Sequence, residues 1–379
     1  MTPFHRLTSV PANSCILLSS REEAMAYPTG DIQLSFCEQC GFIANTAFDP
    51  GLTEYSEKYE ETQGFSATFN AFQRELAERL IQRHQLYGKH IIEIGCGKGE
   101  FLTLVCELGG NRGTGFDPGF RSDRNPSANA VDIEFISDFY SETYCGYKGD
   151  FIICKMTLEH ISQTHEFVRM IRKTLNDGSD TVVFFQVPDV TRILKDCAFE
   201  DIYYEHCSYF SPGSLARLFR KCGFDVIDLT TAYSSQYLMI EARPRDGDAA
   251  AMFPLEDDMS ALKRYRDGFD RIYREKRRQW QQRIRRIRSD ARKAVLWGSG
   301  SKAVSFLTTL GVYEEIECVV DINPYRQGCY MAGTGQRIIG PQELAKYRPD
   351  LVILMNPVYE DEIRRELSQM DLYPEIVAL

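Results

Sequence analysis

His90-Ile-Ile-Glu93-Ile-Gly95-Cys-Gly97-Lys-Gly99-Glu100-Phe-Leu-Thr-Leu-Val-Cys106 is the stretch on which the reading of the whole chain turns. A short apolar run holding one acid, then glycines at alternate positions, then a helical pattern, describes a strand feeding a helix through a tight turn. Without a Cβ, those glycines let a ligand approach the backbone closely. A dinucleotide fingerprint needs a glycine or alanine at position 100, which here is Glu100.

The turn fits a loop for S-adenosylmethionine (SAM), and two later signals follow in the right order. Gly113-Thr-Gly-Phe-Asp117 ends a second strand in an acid placed to accept ribose hydroxyls at the carboxyl edge of an open sheet. Ile133-Glu-Phe-Ile-Ser-Asp138-Phe139 sets an acid beside an aromatic ring, which suits an adenine amino group and ring face. Glu93, Gly95, Gly97, Gly99, Asp117, Asp138 and Phe139 are therefore the expected cofactor-binding residues.

Working outward, 379 residues are too many for one core, so several domains are expected. A net charge of −10 argues against a general nucleic-acid binder. No apolar run reaches the length of a membrane span and no secretory leader is evident, so a cytoplasmic protein acting on a small molecule is expected. Most of the twelve cysteines, such as Cys106, Cys154 and Cys222, lie inside apolar patterns and read as small buried thiols. Cys37-Glu-Gln-Cys40-Gly41 alone has ligand spacing. With Cys15 as a third ligand it is the candidate zinc site, although a structural site takes four ligands.

Four regions are expected: a zinc-binding region over 1–52, a cofactor-binding core over 53–245, an amphipathic helical connector over 246–292 and a second nucleotide-type fold over 293–379. The polar, aromatic run from Tyr55 to Ser66 stands where a flap over the cofactor would be built. Phe69, Phe72, Leu76, Leu80 and Ile81 share one face of a helix ahead of the glycine turn. Strands follow at Asp150–Cys154 and Thr181–Val187, and Tyr237–Ala242 closes the sheet. From Leu262 to Ile287 apolar residues recur at helical spacing, with Arg and Lys crowding the other face as a solvated surface or a rim for a phosphorylated substrate. Gly298, Gly300 and Ala303 satisfy a second glycine fingerprint, with Asp321 where a ribose-binding acid belongs.

The densest chemistry outside the glycine turn is Asp201-Ile-Tyr203-Tyr204-Glu205-His206-Cys-Ser-Tyr-Phe210. Together with His160, after the fourth strand, it brings two of six histidines to one edge of the sheet. Imidazole titrates near neutrality and can take a proton as a transition state forms.

At these residues the chain resembles the SAM-dependent sugar C-methyltransferase family. The matching runs are Phe36-Cys-Glu-Gln-Cys-Gly41, Glu93-Ile-Gly-Cys-Gly-Lys-Gly99, Leu158-Glu-His-Ile161, Tyr203-Tyr-Glu-His-Cys-Ser-Tyr-Phe210 and Asp321-Ile-Asn-Pro324 with Gly333-Thr-Gly. The resemblance implies an α/β fold: a class I methyltransferase doubly wound sheet, a small zinc-ribbon-like amino-terminal region and a carboxyl-terminal Rossmann-like domain that binds substrate. It implies His206 as general base, Tyr203 as its assistant, Glu205 as a ligand of a substrate hydroxyl and His160 as a second polar group. The base would remove a proton beside the ketone of a nucleotide-linked sugar, with Tyr204 or His160 stabilising the oxyanion. There are two departures. The family's first C-x-x-C pair is missing, leaving Cys15, and Tyr204 stands where the family has histidine. The alternatives are an oxygen- or nitrogen-directed methyltransferase and, in another class, an oxidoreductase using the Gly298 domain.

Overall fold

The computed structural model describes residues 1–175, 179–245, 247 and 250–379, so residue 246, where the connector was expected to begin, lies outside the described residues. In chain order the regular elements begin with β1 (Thr2–Pro11), α1 (Arg21–Met25), β2 (Thr29–Phe36), β3 (Ile43–Asn45), α2 (Ala67–His84), β4 (His90–Ile94), α3 (Glu100–Gly109), β5 (Arg112–Phe116) and β6 (Ile133–Ile136). There follow β7 (Phe151–Lys155), α4 (Thr164–Thr174), β8 (Val182–Pro188), α5 (Val190–Asp196), β9 (Ser208–Tyr209), α6 (Pro212–Lys221), β10 (Phe224–Ala232), β11 (Tyr237–Pro244) and α7 (Met259–Ser289). The last are β12 (Ala294–Trp297), α8 (Ser301–Leu310), β13 (Cys318–Val320), β14 (Arg337–Ile339), α9 (Leu344–Tyr347), β15 (Leu351–Leu354), α10 (Glu360–Gln369) and β16 (Glu375–Ala378).

The central sheet runs β10-β11-β8-β7-β4-β5-β6. Its five strands from β8 to β6 are parallel, and β11 is antiparallel to both β8 and β10. The 237–242 run was expected to close the sheet. Instead β11 inserts between β8 and β10, because a tight turn after β10 folds it back antiparallel and the open edge of β8 supplies its other partner. Two apolar layers sandwich this sheet. Leu76, Leu80 and Ile81 of α2 pack with α3 on one side, and Val168, Ile171, Leu215 and Phe219 of α4 and α6 on the other.

A second, parallel sheet runs β14-β13-β12-β15-β16. It repeats the strand, glycine turn and helix arrangement, with Gly298 at φ +100 just before α8. The third sheet, β1-β2-β3-β9, is antiparallel and amino-terminal except for β9, which is borrowed from the run after His206. Helix α7 buries Leu262, Phe269, Tyr273, Ile284 and Ile287 in a core shared by the amino-terminal sheet, α5 and the carboxyl-terminal sheet. Its cationic face is engaged with acids at the surface, such as Arg283 with Glu375 at 3.1 Å, an acid that Arg292 just beyond the helix also meets at 2.7 Å. None of the residues from Arg271 to Lys293 lines the central cavity, which leaves the solvated reading of that face.

Candidate active site

A cavity of about 1030 Å³ opens between the two nucleotide-type folds and is lined by both glycine turns. Gly95, Gly97 and Gly99 all take positive φ, at +71, +54 and +77. A Cβ on Gly95 would meet Thr157 Oγ1 at 2.0 Å, so only glycine fits there. Asp117, at the carboxyl end of β5, ties the turn down by accepting from Gly97 N at 2.9 Å and Gly119 N at 2.7 Å. The second fold repeats this device, with Asp321 accepting from Ser299 N and Asn323 N, both at 2.8 Å.

The donor set around the first turn fits a cation that also carries hydroxyls and an amine. Glu93 is buried at the end of β4 with one carboxylate oxygen lacking a hydrogen-bond partner. Burial makes it a weaker acid, its pKa pushed up to about 7, and the neighbouring Lys155 ammonium only partly offsets this. Glu61, from the flap between Tyr55 and Ser66, is likewise pushed up to about 7 by burial. Asp138 and Phe139 line the cavity after β6, and Phe139 is 59% exposed. Asp138 accepts from Phe139 N at 2.8 Å and from the Tyr144 hydroxyl at 2.6 Å. All seven expected cofactor positions thus surround the turn, six of them at the cavity wall; Gly99 stands just behind it, where a Cβ would strike Phe135.

His206 and Tyr203 also line the cavity, His206 buried and Tyr203 half-buried. Their ring centroids are 4.1 Å apart, and His160 stands edge-on to His206 at 4.8 Å. Burial first, then the repulsion that a second positive charge would meet beside His160 and Lys302, holds the His206 imidazole well below its ordinary range, so it is neutral and able to accept a proton. His160 Nδ1 lies 2.8 Å from the Tyr55 hydroxyl and 3.1 Å from the Glu205 carbonyl. A carbonyl only accepts, so Nδ1 carries the hydrogen and Nε2 is the bare nitrogen.

Three expectations are corrected. Glu205 does not line the cavity. Its carboxylate accepts from Ser14 N at 3.1 Å, Asn13 Nδ2 at 3.3 Å, the Tyr59 hydroxyl at 2.7 Å and Ser14 Oγ, so it pins the amino-terminal segment rather than holding a substrate hydroxyl. Tyr204 is 1% exposed and turns the other way, packed on Gly30 and bonded to the Asp49 backbone, out of reach of an oxyanion. Cys15 lies at the cavity wall, 3.4 Å from Ser301 Oγ. Cys37 and Cys40 pair in the turn between β2 and β3, and no group of three metal-type donors among the described residues includes any of these three cysteines.

Several site residues escaped the sequence reading. Glu159, one residue before His160, was quoted within its motif but given no role; it is buried at the cavity wall. The flap from Tyr55 to Ser66 does line the cavity, and its Glu60 carboxylate takes both Arg124 nitrogens, at 2.6 and 2.8 Å, and Asn323 Nδ2 at 2.9 Å. Lys302, in the first turn of α8 after the second glycine turn, reaches Asp201 at 2.6 Å. An acid or tyrosine beside a motif histidine was the only available signal.

The strand order, the antiparallel β11 and the acid-tied glycine turn define a class I SAM-dependent methyltransferase. Residues 67–229 match a family described as "Methyltransferase domain", and residues 240–372 match one described as "C-methyltransferase C-terminal domain". Together the two matches span most of the chain, so it is similar to SAM-dependent C-methyltransferases in both halves. It is 27% identical over 308 residues to C-methyltransferase NovU of Streptomyces niveus, covering 76% of this chain and 72% of that one. It is 30% identical over 135 residues to the tRNA U34 carboxymethyltransferase of Campylobacter hominis, covering 34% of this chain and under half of that one, 46%. Among solved structures, 1,6-didemethyltoxoflavin-N1-methyltransferase of Burkholderia thailandensis, with S-adenosylhomocysteine bound, aligns with 17% identity and a TM-score of 0.38 over 48% of this chain and 83% of that one. No described helix is long and apolar enough to cross a membrane.

Proposed function

We propose that the protein methylates carbon next to the carbonyl of a nucleotide-linked keto sugar or a related activated keto compound, with His206 as the base. The observation that carries this reading is the single cavity shared by both glycine turns, with a neutral imidazole on its wall. The volume and the two turns suit a methyl donor at Gly95–Gly99 and the nucleotide part of an acceptor at Gly298–Ser301.

When bound at the first turn, SAM supplies an electrophilic methyl group. The chain's own residues do the rest. A C–H beside a carbonyl yields its proton to imidazole only where the oxygen that gains charge is stabilised nearby. Tyr203 and His160, both at the cavity wall, are the hydroxyl and imidazole groups available for that contact; burial keeps the Tyr203 phenol protonated and able to donate. The pairing of β9 with β3, Ile43 opposite Tyr209 and Ala44 opposite Ser208, anchors the segment that carries His206. Residues of the flap from Tyr55 to Ser66 form part of the same wall.

Two Cys37 and Cys40 thiols in one tight turn leave zinc as a proposal needing further ligands from outside the described group. A nicotinamide oxidoreductase is the weaker reading, because the residues of its fingerprint fall within the C-methyltransferase C-terminal match. Incubation with methyl-labelled SAM and a panel of nucleotide-linked keto sugars tests the proposal. Label on a carbon beside the carbonyl supports it, and label on oxygen or nitrogen instead overturns it.

A further inference from the structure

Glu159 stands out among the buried acids. Both of its carboxylate oxygens are shielded from solvent, and neither has a hydrogen-bond partner from another residue. It lies four residues beyond the end of β7, faces the cavity, and comes with His160 and His206 into a group in which one nitrogen or oxygen from each lies within 4.8 Å of the others. A buried carboxyl left without partners is expensive to keep, so a chemical use is the natural reason for it.

We propose that Glu159 is the proton acceptor standing behind His206, receiving the proton that the imidazole takes from the acceptor carbon. This rests on the reading of His206 as the base. The balance is as follows. The acceptor C–H bond breaks and leaves its electron pair on the carbon conjugated with the carbonyl, while an N–H bond forms on His206. The imidazolium then gives one N–H proton to the Glu159 carboxylate, directly or through one water, regenerating neutral imidazole and a neutral carboxylic acid. The acid loses that proton to water when the cavity opens to release product.

The direction of transfer follows from the surroundings. Burial, with its own amide the only opposing influence, pushes Glu159 up to about 8, whereas burial pushes His206 well below its ordinary range. A proton on the imidazolium therefore moves downhill to the carboxylate wherever Glu159 is ionised, which is above about pH 8. The titratable groups that face Glu159 are Tyr55 of the flap, Cys154 of β7, Tyr237 of β11, and Tyr203 and Cys207 beside His206. Burial raises all five, and His160 is lowered, so none carries charge at neutrality and Glu159 alone titrates near pH 8.

The test uses full-length protein with isotopically labelled histidine, the His206 ring signals being identified by their loss in His206→Gln. Followed from about pH 6 to about pH 9.5, those signals should show an inflection near pH 8 that disappears in Glu159→Gln. No inflection in the parent protein, or one that persists in the variant, overturns the proposal, and the parent measurement decides even if the variant fails to fold. With a nucleotide-linked keto sugar as acceptor, Glu159→Gln should lower kcat about tenfold or more. It should also abolish the rise in rate through pH 8 while S-adenosylhomocysteine binding is unchanged. The histidine readout needs no acceptor, so failure of every keto sugar would count against the acceptor assignment alone.

Discussion

Glu205→Gln separates the role implied by resemblance from the role seen in the fold. The carboxylate accepts Ser14 N on one oxygen and the Tyr59 hydroxyl on the other. Asn13 Nδ2 and Ser14 Oγ have second partners, the Glu54 carbonyl at 3.1 Å and Ser301 Oγ at 2.7 Å. Glutamine keeps one acceptor oxygen and turns the other into a donor. Whichever way it is oriented, Ser14 N or Tyr59 loses its acceptor, and the new NH₂ group faces donors. Two unsatisfied buried donors at about 1–3 kcal/mol each give a loss of about 2–6 kcal/mol. That is a large share of a typical stability of about 5–15 kcal/mol. Urea unfolding followed by tryptophan fluorescence should show a clearly lowered midpoint, with the acceptor KM of the folded fraction nearly unchanged. A variant with the parent midpoint and an acceptor KM raised tenfold would refute the reasoning and return Glu205 to the substrate.

Four further outcomes are expected. His206→Ala should bind donor as the parent does, by calorimetry, yet lose methyl transfer by on the order of 10² or more; full turnover would remove the base assignment. Gly95→Ala puts a side chain at φ +71 and within 2.0 Å of Thr157, so donor affinity should fall at least about tenfold, equivalent to about 1.4 kcal/mol. Folded Glu159 holds a proton up to about pH 8 that the unfolded chain, with its ordinary value of 4.5, has already released. Stability therefore falls as pH rises across that window, and Glu159→Gln should gain in Tm relative to the parent between mildly acidic and alkaline buffer. Because Cys15 sits against Ser301 rather than the Cys37–Cys40 turn, Cys15→Ser should leave the zinc content of purified protein unchanged by mass spectrometry, whatever that content is.

Local patterns carried the elements and their order. The glycine turn after β4, the acids ending β5 and following β6, the helix from Met259 to Ser289 and the second glycine turn were all legible, because each depends on neighbours a few residues apart. The same holds for His160 and His206 meeting, since both follow strands whose carboxyl ends share one edge of the sheet. Long-range partners were another matter. Glu205 finds its donors at positions 13, 14 and 59, and Tyr204 finds Gly30 and Asp49. Tyr204 and Glu205 sit in a turn before β9, and only the docking of the amino-terminal sheet decides which of that turn's side chains meet the cavity. Cys15 left the presumed zinc turn, and Glu159 became an unpartnered acid beside two imidazoles, for the same reason. A side chain's type sets what it can bond to, whereas burial and the groups brought across the fold determine which of those bonds exist and which protons it holds.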